Sequence, residues 1–283
     1  MTECDVCFRK CRLDEGRTGL CNGRVCKNGK VVASNYGKVT SVGLDPIEKK
    51  PLMRYKPGSW ILSVGSYGCN LMCPFCQNSD ISWSEEARDA AEDADMIDPR
   101  DIARKASELV SHGNIGVAYT YNEPLIGYEF VRDTAKLVKE AGLDNVIVTN
   151  GTANTWVLDE LSPYIDAMNI DLKAFTDRFY RKLVKGDLDM VKNFISEAVK
   201  VCHVELTTLI IPGENDSEDE IRNLSGWVAG LEGKVPGNEI PLHITRFFPR
   251  YKMTDREATP VETVYRLAEV ARENLKYVYE GNV

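Results

Sequence analysis

The sequence predicts an α/β fold, a partial (β/α)6 barrel of the TIM type preceded by a small cysteine-rich N-terminal module. Two observations lead to this prediction. Eight of the nine cysteines lie within the first 76 of the 283 residues. From residue 59 onward, six short apolar runs alternate with segments of helical periodicity, a pattern typical of parallel βα units. We therefore predict two domains, the module with its connector at residues 1–58 and the barrel at residues 59–283.

The individual elements follow from local composition. Residues 1–30 contain few large apolar side chains, so a bound metal is expected to replace a hydrophobic core there. Short strands are predicted at 31–34 and 38–42, before a connector with three prolines. Barrel strands are predicted at 60–64, 116–120, 145–149, 167–171, 204–210 and 240–245, and helices at 98–112, 127–141, 155–164, 188–201, 218–231 and 260–274. Functional residues of such barrels lie at the carboxyl ends of the strands.

Composition and charge narrow the function classes. The chain carries 35 Lys and Arg against 43 Asp and Glu, a formal net charge of −8, which argues against nucleic-acid binding through bulk charge. No apolar run is long enough for a transmembrane helix, and the N-terminus has no basic stretch followed by an apolar one. We expect a cytoplasmic protein with no nucleic-acid or membrane partner. Because cytosolic thiols stay reduced, its clustered cysteines indicate metal binding rather than disulfides.

The central motif follows the first predicted barrel strand. Cys69, Cys73 and Cys76 have the spacing C-x3-C-x2-C. A ferredoxin run has four cysteines, whereas three leave one iron of a four-iron cluster without a protein ligand. Because chemistry can occur at an open iron, we predict that these three residues are the catalytic metal ligands. The alternatives are three structural cysteines or a zinc site completed elsewhere in the fold.

The N-terminal cysteines form a second candidate metal site. Cys4, Cys7, Cys11 and Cys21 can supply four thiolates to one metal, and Cys26 is a fifth candidate. Zinc would stabilise the module without redox chemistry, whereas an auxiliary iron–sulfur cluster could carry electrons or bind substrate. The spacing does not decide between zinc and an iron–sulfur cluster. The third possibility is that these cysteines are free thiols without a metal.

Several blocks of sequence resemble a known family. The cysteine motif after the first strand of a six-unit barrel resembles the radical S-adenosylmethionine superfamily. The blocks at 45–52 (Asp-Pro-Ile-Glu-Lys-Lys-Pro-Leu), 68–70 (Gly-Cys-Asn) and 76–78 (Cys-Gln-Asn) resemble the pyruvate formate-lyase activating enzyme-like branch called AmmeMemoRadiSam. The resemblance implies a [4Fe-4S] cluster whose reduced form cleaves S-adenosylmethionine to methionine and a 5′-deoxyadenosyl radical. It thus implies an oxidoreductase that works under anaerobic conditions.

The resemblance also implies a set of residues that hold the cofactor. Tyr121 and Asn122 stand where the activating enzymes have two glycines of a Gly-Gly-Glu-Pro motif, and Val148 stands in place of an Asp. Asp171 is expected to accept from the ribose hydroxyls, and Lys173 to bind the methionine carboxylate. The full set of expected cofactor-binding residues is Phe75, Asn122, Glu123, Thr149, Asn150, Asp171, Lys173 and Arg246. A helical turn without a ligand at 122–124 and a surface salt bridge at 171–173 are the alternatives.

The predicted activity is abstraction of hydrogen from a substrate by the 5′-deoxyadenosyl radical. The resemblance implies that this substrate is a glycyl-radical enzyme. Radical modification of a small molecule or of another polypeptide is the alternative within enzymes. An electron-transfer protein with two iron–sulfur clusters and no catalysis is the alternative from another class. The expected partners are S-adenosylmethionine, an electron donor such as ferredoxin or flavodoxin, and a protein substrate.

Overall fold

The structure, a computed structural model, describes residues 1–93 and 95–283, and only the backbone of residues 90–93. The strands of this described chain are β1 (Thr2–Glu3), β2 (Arg12–Leu13), β3 (Arg24–Lys27), β4 (Lys30–Ala33), β5 (Ser41–Pro46), β6 (Trp60–Gly65), β7 (Asn114–Tyr119), β8 (Asp144–Thr149), β9 (Ala167–Asp171), β10 (His203–Ile210), β11 (Leu242–Arg246) and β12 (Val278–Gly281). The α-helices are α1 (Ser79–Ser82), α2 (Glu85–Asp93), α3 (Pro99–Glu108), α4 (Tyr128–Glu140), α5 (Thr155–Leu161), α6 (Leu188–Val201), α7 (Glu218–Ala229) and α8 (Val261–Arg272).

The main sheet has eight strands in the order β12-β11-β10-β9-β8-β7-β6-β5. Strands β6 to β12 pair in parallel, and β5 pairs antiparallel with β6. The six predicted barrel strands are β6 to β11, so the predicted partial barrel is confirmed. Strands β5 and β12 extend it at its two edges. Helices α1 and α2 and a π-helix at Phe179–Val184 were not predicted.

Helix boundaries follow from recognisable caps. The side chain of Asp98 accepts a hydrogen bond from the Arg100 N–H, and Pro99 occupies the first turn of α3. Helix α3 ends at Glu108 rather than continuing to His112, because a 3-10 turn follows and ends at Gly113, whose φ is 84°. Asp187 and Ser217 cap α6 and α7 in the same way as Asp98 caps α3.

The side chains of the barrel strands alternate between two apolar layers. Leu62 and Val64 of β6 face outward and join the large core formed with the helices. Ile61 faces inward and packs in a smaller core with Ala118 and Val146. Ile47 and Leu52 of the connector complete that inner core and are fully buried. The connector thus closes the floor of the barrel.

Glu205 fixes this floor by four hydrogen bonds. Its carboxylate accepts from the backbone N–H groups of Met53 and Arg54 at 3.0 and 2.7 Å. It also pairs with His243 at 2.7 Å and His203 at 3.0 Å. Burial acts to raise the pKa of Glu205, but the two histidines and the Arg54 N–H lower it to about 2. His243, which is buried, is therefore a partner of Glu205 in the barrel interior.

The N-terminal module consists of two small hairpins, β1–β2 and β3–β4, that dock on the barrel. The buried Arg24 guanidinium forms a salt bridge of 2.6 Å with Glu129 of α4. The Asn154 N–H donates to the Val6 carbonyl at 2.9 Å, at the start of α5. The domain boundary at residue 58 stays a prediction, although β5 already belongs to the barrel sheet. None of the helices in the described residues has the length and apolar character needed to cross a membrane.

We predict that Glu205→Gln destabilises the barrel by about 1–3 kcal/mol, because an amide replaces an acceptor oxygen and leaves buried donors unpaired. The carboxylate of Glu205 titrates near pH 2 in the folded protein and near 4.5 in the unfolded chain. Its contribution is therefore complete above pH 4.5 and is lost as the pH falls toward 2. Denaturant unfolding at several pH values measures this. Glu232→Gln, at an exposed site, is the control, and equal stability of the two variants at pH 7 would contradict the prediction.

Candidate active site

The cysteine loop begins where β6 ends, and Asn122 holds its first residues. The Asn122 Oδ1 accepts from the Ser66 N–H at 3.0 Å. Its Nδ2 donates to the carbonyls of Tyr67 and Gly68 at 3.1 and 3.2 Å. All three contacts join the end of β7 to the loop after β6. Asn122 thus positions the cysteine loop, and its direct contact with a cofactor stays a prediction.

The three motif cysteines are free thiols at the carboxyl end of the barrel. Cys73 is buried, and Cys69 and Cys76 are partly buried. Two N–H groups point at the Cys69 Sγ, the Leu71 backbone N–H at 3.4 Å and the Asn150 Nδ2 at 3.6 Å. Such N–H···S contacts stabilise negative charge on a ligand sulfur.

Burial dominates the titration of these thiols. It raises the pKa of Cys73 to about 12 and also raises the pKa values of Cys69 and Cys76. The ammonium group of Lys173 acts in the opposite sense on Cys73 and Cys76. Thiols in such a setting lose their protons when a metal cation binds them, because the positive charge of the metal offsets the cost of a buried thiolate.

A ring of amides joins the cysteine loop to the end of β8. The Asn150 Nδ2 donates to the Asn70 Oδ1 at 3.0 Å, and the Asn70 Nδ2 donates to the Thr152 carbonyl at 2.8 Å. The Thr152 N–H donates to the Asn150 Oδ1 at 2.9 Å, which closes the ring. Asn150 was predicted as a cofactor contact; the structure places its Nδ2 3.6 Å from the Cys69 Sγ, and its contact with a cofactor stays a prediction. No role was predicted for Asn70 from the sequence; its position directly after Cys69 was the one feature that could have indicated a role in the site.

Glu123 ties the ends of β7 and β8 together. Its carboxylate accepts from the Leu125 N–H at 3.0 Å, the Thr149 Oγ1 at 2.7 Å and the Asn150 N–H at 2.8 Å. Burial raises the pKa of Glu123 to about 7, against the effect of these donors. Glu123 and Thr149, both predicted to bind cofactor, thus bind each other. Their contact with the cofactor stays a prediction.

Asp171 and Lys173 form an ion pair at the end of β9. The Lys173 Nζ lies 2.7 Å from the Asp171 Oδ2. Burial acts to lower the pKa of Lys173, but Asp171 and the Cys73 thiol raise it, so Lys173 stays protonated. The Tyr180 hydroxyl, in the π-helix, accepts from the Lys173 backbone N–H at 3.1 Å. Tyr180 was missed by sequence reasoning, because nothing marks a π-helix in that segment.

The two remaining predicted residues lie at the edges of this arrangement. Phe75 is buried, and its ring centroid lies 6.2 Å from that of Phe179 in the π-helix. The Arg246 Nε donates to the Thr259 carbonyl at 2.7 Å, and the guanidinium lies 4.8 Å from the centre of the Phe248 ring. The contacts of Phe75 and Arg246 with a cofactor stay predictions.

The N-terminal cysteines lie close to this site. Cys4, Cys7, Cys11 and Cys21 line one cavity, whereas the Cys26 Sγ lies apart from it and contacts the Glu15 carboxylate at 3.9 Å. Cys202 is buried elsewhere, with its Sγ 3.7 Å from the Ala198 carbonyl. Within the part of the chain that the structure describes, no three Cys, His, Asp or Glu side chains converge on the position of a single metal ion.

The family follows from comparison with known proteins. A model of the radical SAM superfamily matches residues 63–224, which is more than half of the chain. The chain belongs to the radical SAM superfamily. Members of this superfamily use a [4Fe-4S] cluster and S-adenosylmethionine, and the protein uses the same two cofactors. The three free thiols, with two N–H donors on the Cys69 Sγ, fit three ligands of such a cluster.

Relatives confirm the predicted resemblance to activating enzymes. An uncharacterised protein of Methanocaldococcus jannaschii is 40% identical over 282 residues, 99% of this chain and 81% of the relative. The pyruvate formate-lyase-activating enzyme of Clostridium pasteurianum is 26% identical over 219 residues, 74% of this chain and 89% of that enzyme. The pyruvate formate-lyase 1-activating enzyme of Escherichia coli K12 is 25% identical over 182 residues, 62% of this chain and 71% of that enzyme.

Solved structures show the same fold. The structure of Streptococcus suis SuiB bound to S-adenosylmethionine has a TM-score of 0.58 at 14% identity, covering 79% of this chain and 52% of SuiB. A domain of a pyruvate-formate lyase-activating enzyme from Bacteroides vulgatus has a TM-score of 0.50 at 17% identity. That match covers 59% of this chain and 99% of the domain.

We predict that Asn150→Ala lowers the reduction potential of the cluster at Cys69, Cys73 and Cys76. The variant removes an N–H···S contact that favours the more negative, reduced state. A potentiometric titration followed by electron paramagnetic resonance (EPR) measures the change. Asn238→Ala, at an exposed position before β11 at the other end of the barrel, is the control. A potential equal to that of the control would contradict the prediction.

We further predict that Asp171→Asn and Lys173→Ala each weaken binding of S-adenosylmethionine by roughly ten- to a hundredfold. Each change removes a charge-assisted contact of about 1.5–3 kcal/mol. Equilibrium binding to the oxidised cluster form is the measurement. Lys182→Ala, an exposed lysine in the π-helix, controls for general loss of charge. Affinities within twofold of wild type in both variants would show that the cofactor binds elsewhere.

Proposed function

We propose that the protein is an activating enzyme-like radical enzyme that abstracts hydrogen from the backbone glycine of a partner glycyl-radical enzyme. The observation that carries the proposal is the set of three, not four, cysteines beside the Asp171–Lys173 ion pair at the carboxyl end of the barrel. The relatives named as pyruvate formate-lyase-activating enzymes support the choice of substrate. When bound, the cluster supplies the electron that cleaves S-adenosylmethionine.

The surrounding residues would bind and orient S-adenosylmethionine. Lys173 uses one donor on Asp171, and its remaining N–H groups are available to the methionine carboxylate. The Asp171 carboxylate has lone pairs left for ribose hydroxyls. Phe75 offers a buried aromatic face for the adenine, and Arg246 a cation at the end of β11. An electron donor of the ferredoxin or flavodoxin class completes the proposal.

One observation favours a second candidate, radical modification of a small polar molecule. The Lys50 Nζ lies 2.8 Å from the Asp45 Oδ2, and the Tyr121 hydroxyl donates to the same oxygen at 2.9 Å. A Cβ at the inward-facing Gly65 would lie 2.7 Å from the Tyr121 ring, so this ring fills the inner side of β6. A charged group inside the barrel would suit a polar ligand better than an extended polypeptide.

We predict that the reduced protein converts S-adenosylmethionine to 5′-deoxyadenosine and that Cys73→Ala does not. The variant loses a cluster ligand, whereas the barrel keeps its own apolar cores. Chromatography of the products with a strong artificial reductant tests this. Cys202→Ala, remote from the site, is the control. Product formation in Cys73→Ala would refute the ligand assignment, and no product from the intact protein would favour a non-catalytic electron carrier.

The substrate is tested separately. Isotope-labelled glycyl-radical enzyme should transfer its label to 5′-deoxyadenosine, and the mixture should develop a glycyl-radical EPR signal. Label transfer from small polar molecules instead would support the second candidate and contradict the first.

A further inference from the structure

The N-terminal module contains a second group of cysteines around a single space. Cys4, Cys7, Cys11 and Cys21 line one small cavity of the module. A structural zinc site closes its four thiolates on one ion, with sulfurs roughly 3.8 Å apart. Among the described residues no three Cys, His, Asp or Glu side chains meet at the position of one ion, so the four cysteines suit a group in which each of them binds a different iron.

The lining of this cavity suits a negatively charged cluster. Arg9, Lys10 and Arg24 line it together with the four cysteines, and Arg24 is buried. The Arg9 side chain is held in place by the carbonyls of Asn70 and Lys185, at 3.0 and 2.9 Å.

The two cysteine groups meet at one hydrogen bond. The Cys69 N–H donates to the Cys21 carbonyl at 3.0 Å. Gly68 has a φ of 93°, and a Cβ there would lie 2.6 Å from the same carbonyl oxygen, so glycine permits the close approach. From the Cys21 Sγ to the Cys69 Sγ, the route consists of covalent bonds and this single hydrogen bond.

We propose that Cys4, Cys7, Cys11 and Cys21 bind a second [4Fe-4S] cluster, which passes electrons to the radical cluster through the Cys21–Cys69 hydrogen bond. In each transfer the N-terminal cluster is oxidised from the 1+ to the 2+ state, and the radical cluster is reduced from 2+ to 1+. A low-potential one-electron carrier of the ferredoxin class reduces the N-terminal cluster again. The relay rests on the proposed radical activity, whereas the metal site does not.

Metal analysis tests the site without any assay of activity. After anaerobic reconstitution, the variant Cys69→Ala, Cys73→Ala, Cys76→Ala should retain about four irons and four sulfides per chain. About one zinc, or no metal, would overturn the proposal. In the otherwise intact chain, Cys4→Ala with Cys11→Ala should lower the iron content from about eight to about four. This second variant keeps the test decisive if the first fails to fold.

Cys26→Ser is the matched control, because Cys26 lies in the same module but outside the cavity. It should retain about eight irons. Loss of four irons in this control would mean that Cys26 is a ligand and that the assigned set is wrong.

EPR of the reduced protein tests the relay. Two reduced clusters in contact through one hydrogen bond should broaden each other's signals. The wild-type spectrum should therefore differ from the sum of the spectra of the two variants, each of which holds one cluster. A wild-type spectrum equal to that sum would overturn the relay and leave the metal site standing.

Discussion

The structure depends on holding three thiols, one buried and two partly buried, in place at the end of one barrel strand. A thiolate in an apolar setting is costly unless a cation or N–H donors compensate it. The barrel meets this requirement with polar groups from the ends of neighbouring strands. Asn122 holds the loop from β7, Asn150 reaches the Cys69 Sγ from β8, and Lys173 brings a positive charge from β9. Parallel strands make this convergence possible, because their carboxyl ends meet at one edge.

The connector closes the amino end of the barrel, opposite the edge that carries the cysteines. The connector packs Ile47 and Leu52 under the strands, and Glu205 binds the connector backbone from β10. The same connector carries Lys50, which forms an ion pair with Asp45. The hydroxyl of Tyr121, which follows β7 at the opposite end of the barrel, donates a hydrogen bond to the same Asp45 carboxylate. The block at 45–52 thus joins the two ends of the barrel, which gives its resemblance to a family a physical basis.

The sequence predicted the fold and the cysteine motif because both are local patterns. Apolar runs and caps such as Asp98-Pro99 depend on near neighbours, and the spacing of Cys69, Cys73 and Cys76 is visible directly. The contacts of Asn122 and Glu123 were not predictable, because each joins segments that only the folded sheet brings together. Glu123 and Thr149 were both expected to contact the cofactor; the structure shows a hydrogen bond between them, which the sequence did not predict, and their contact with a cofactor stays a prediction. The position of Tyr180 depends on a π-helix, and the role of Asn70 depends on a ring of amide hydrogen bonds. Neither feature produces a periodic pattern in the sequence.

We predict that Cys69, Cys73 and Cys76 leave one iron of their cluster open to S-adenosylmethionine. Electron–nuclear double resonance on the reduced protein with isotope-labelled cofactor measures this contact directly. We expect hyperfine coupling from the amino nitrogen and the carboxylate oxygen of the methionine moiety to the cluster. Absence of both couplings, in a sample that binds the cofactor and contains the reduced cluster, would contradict it.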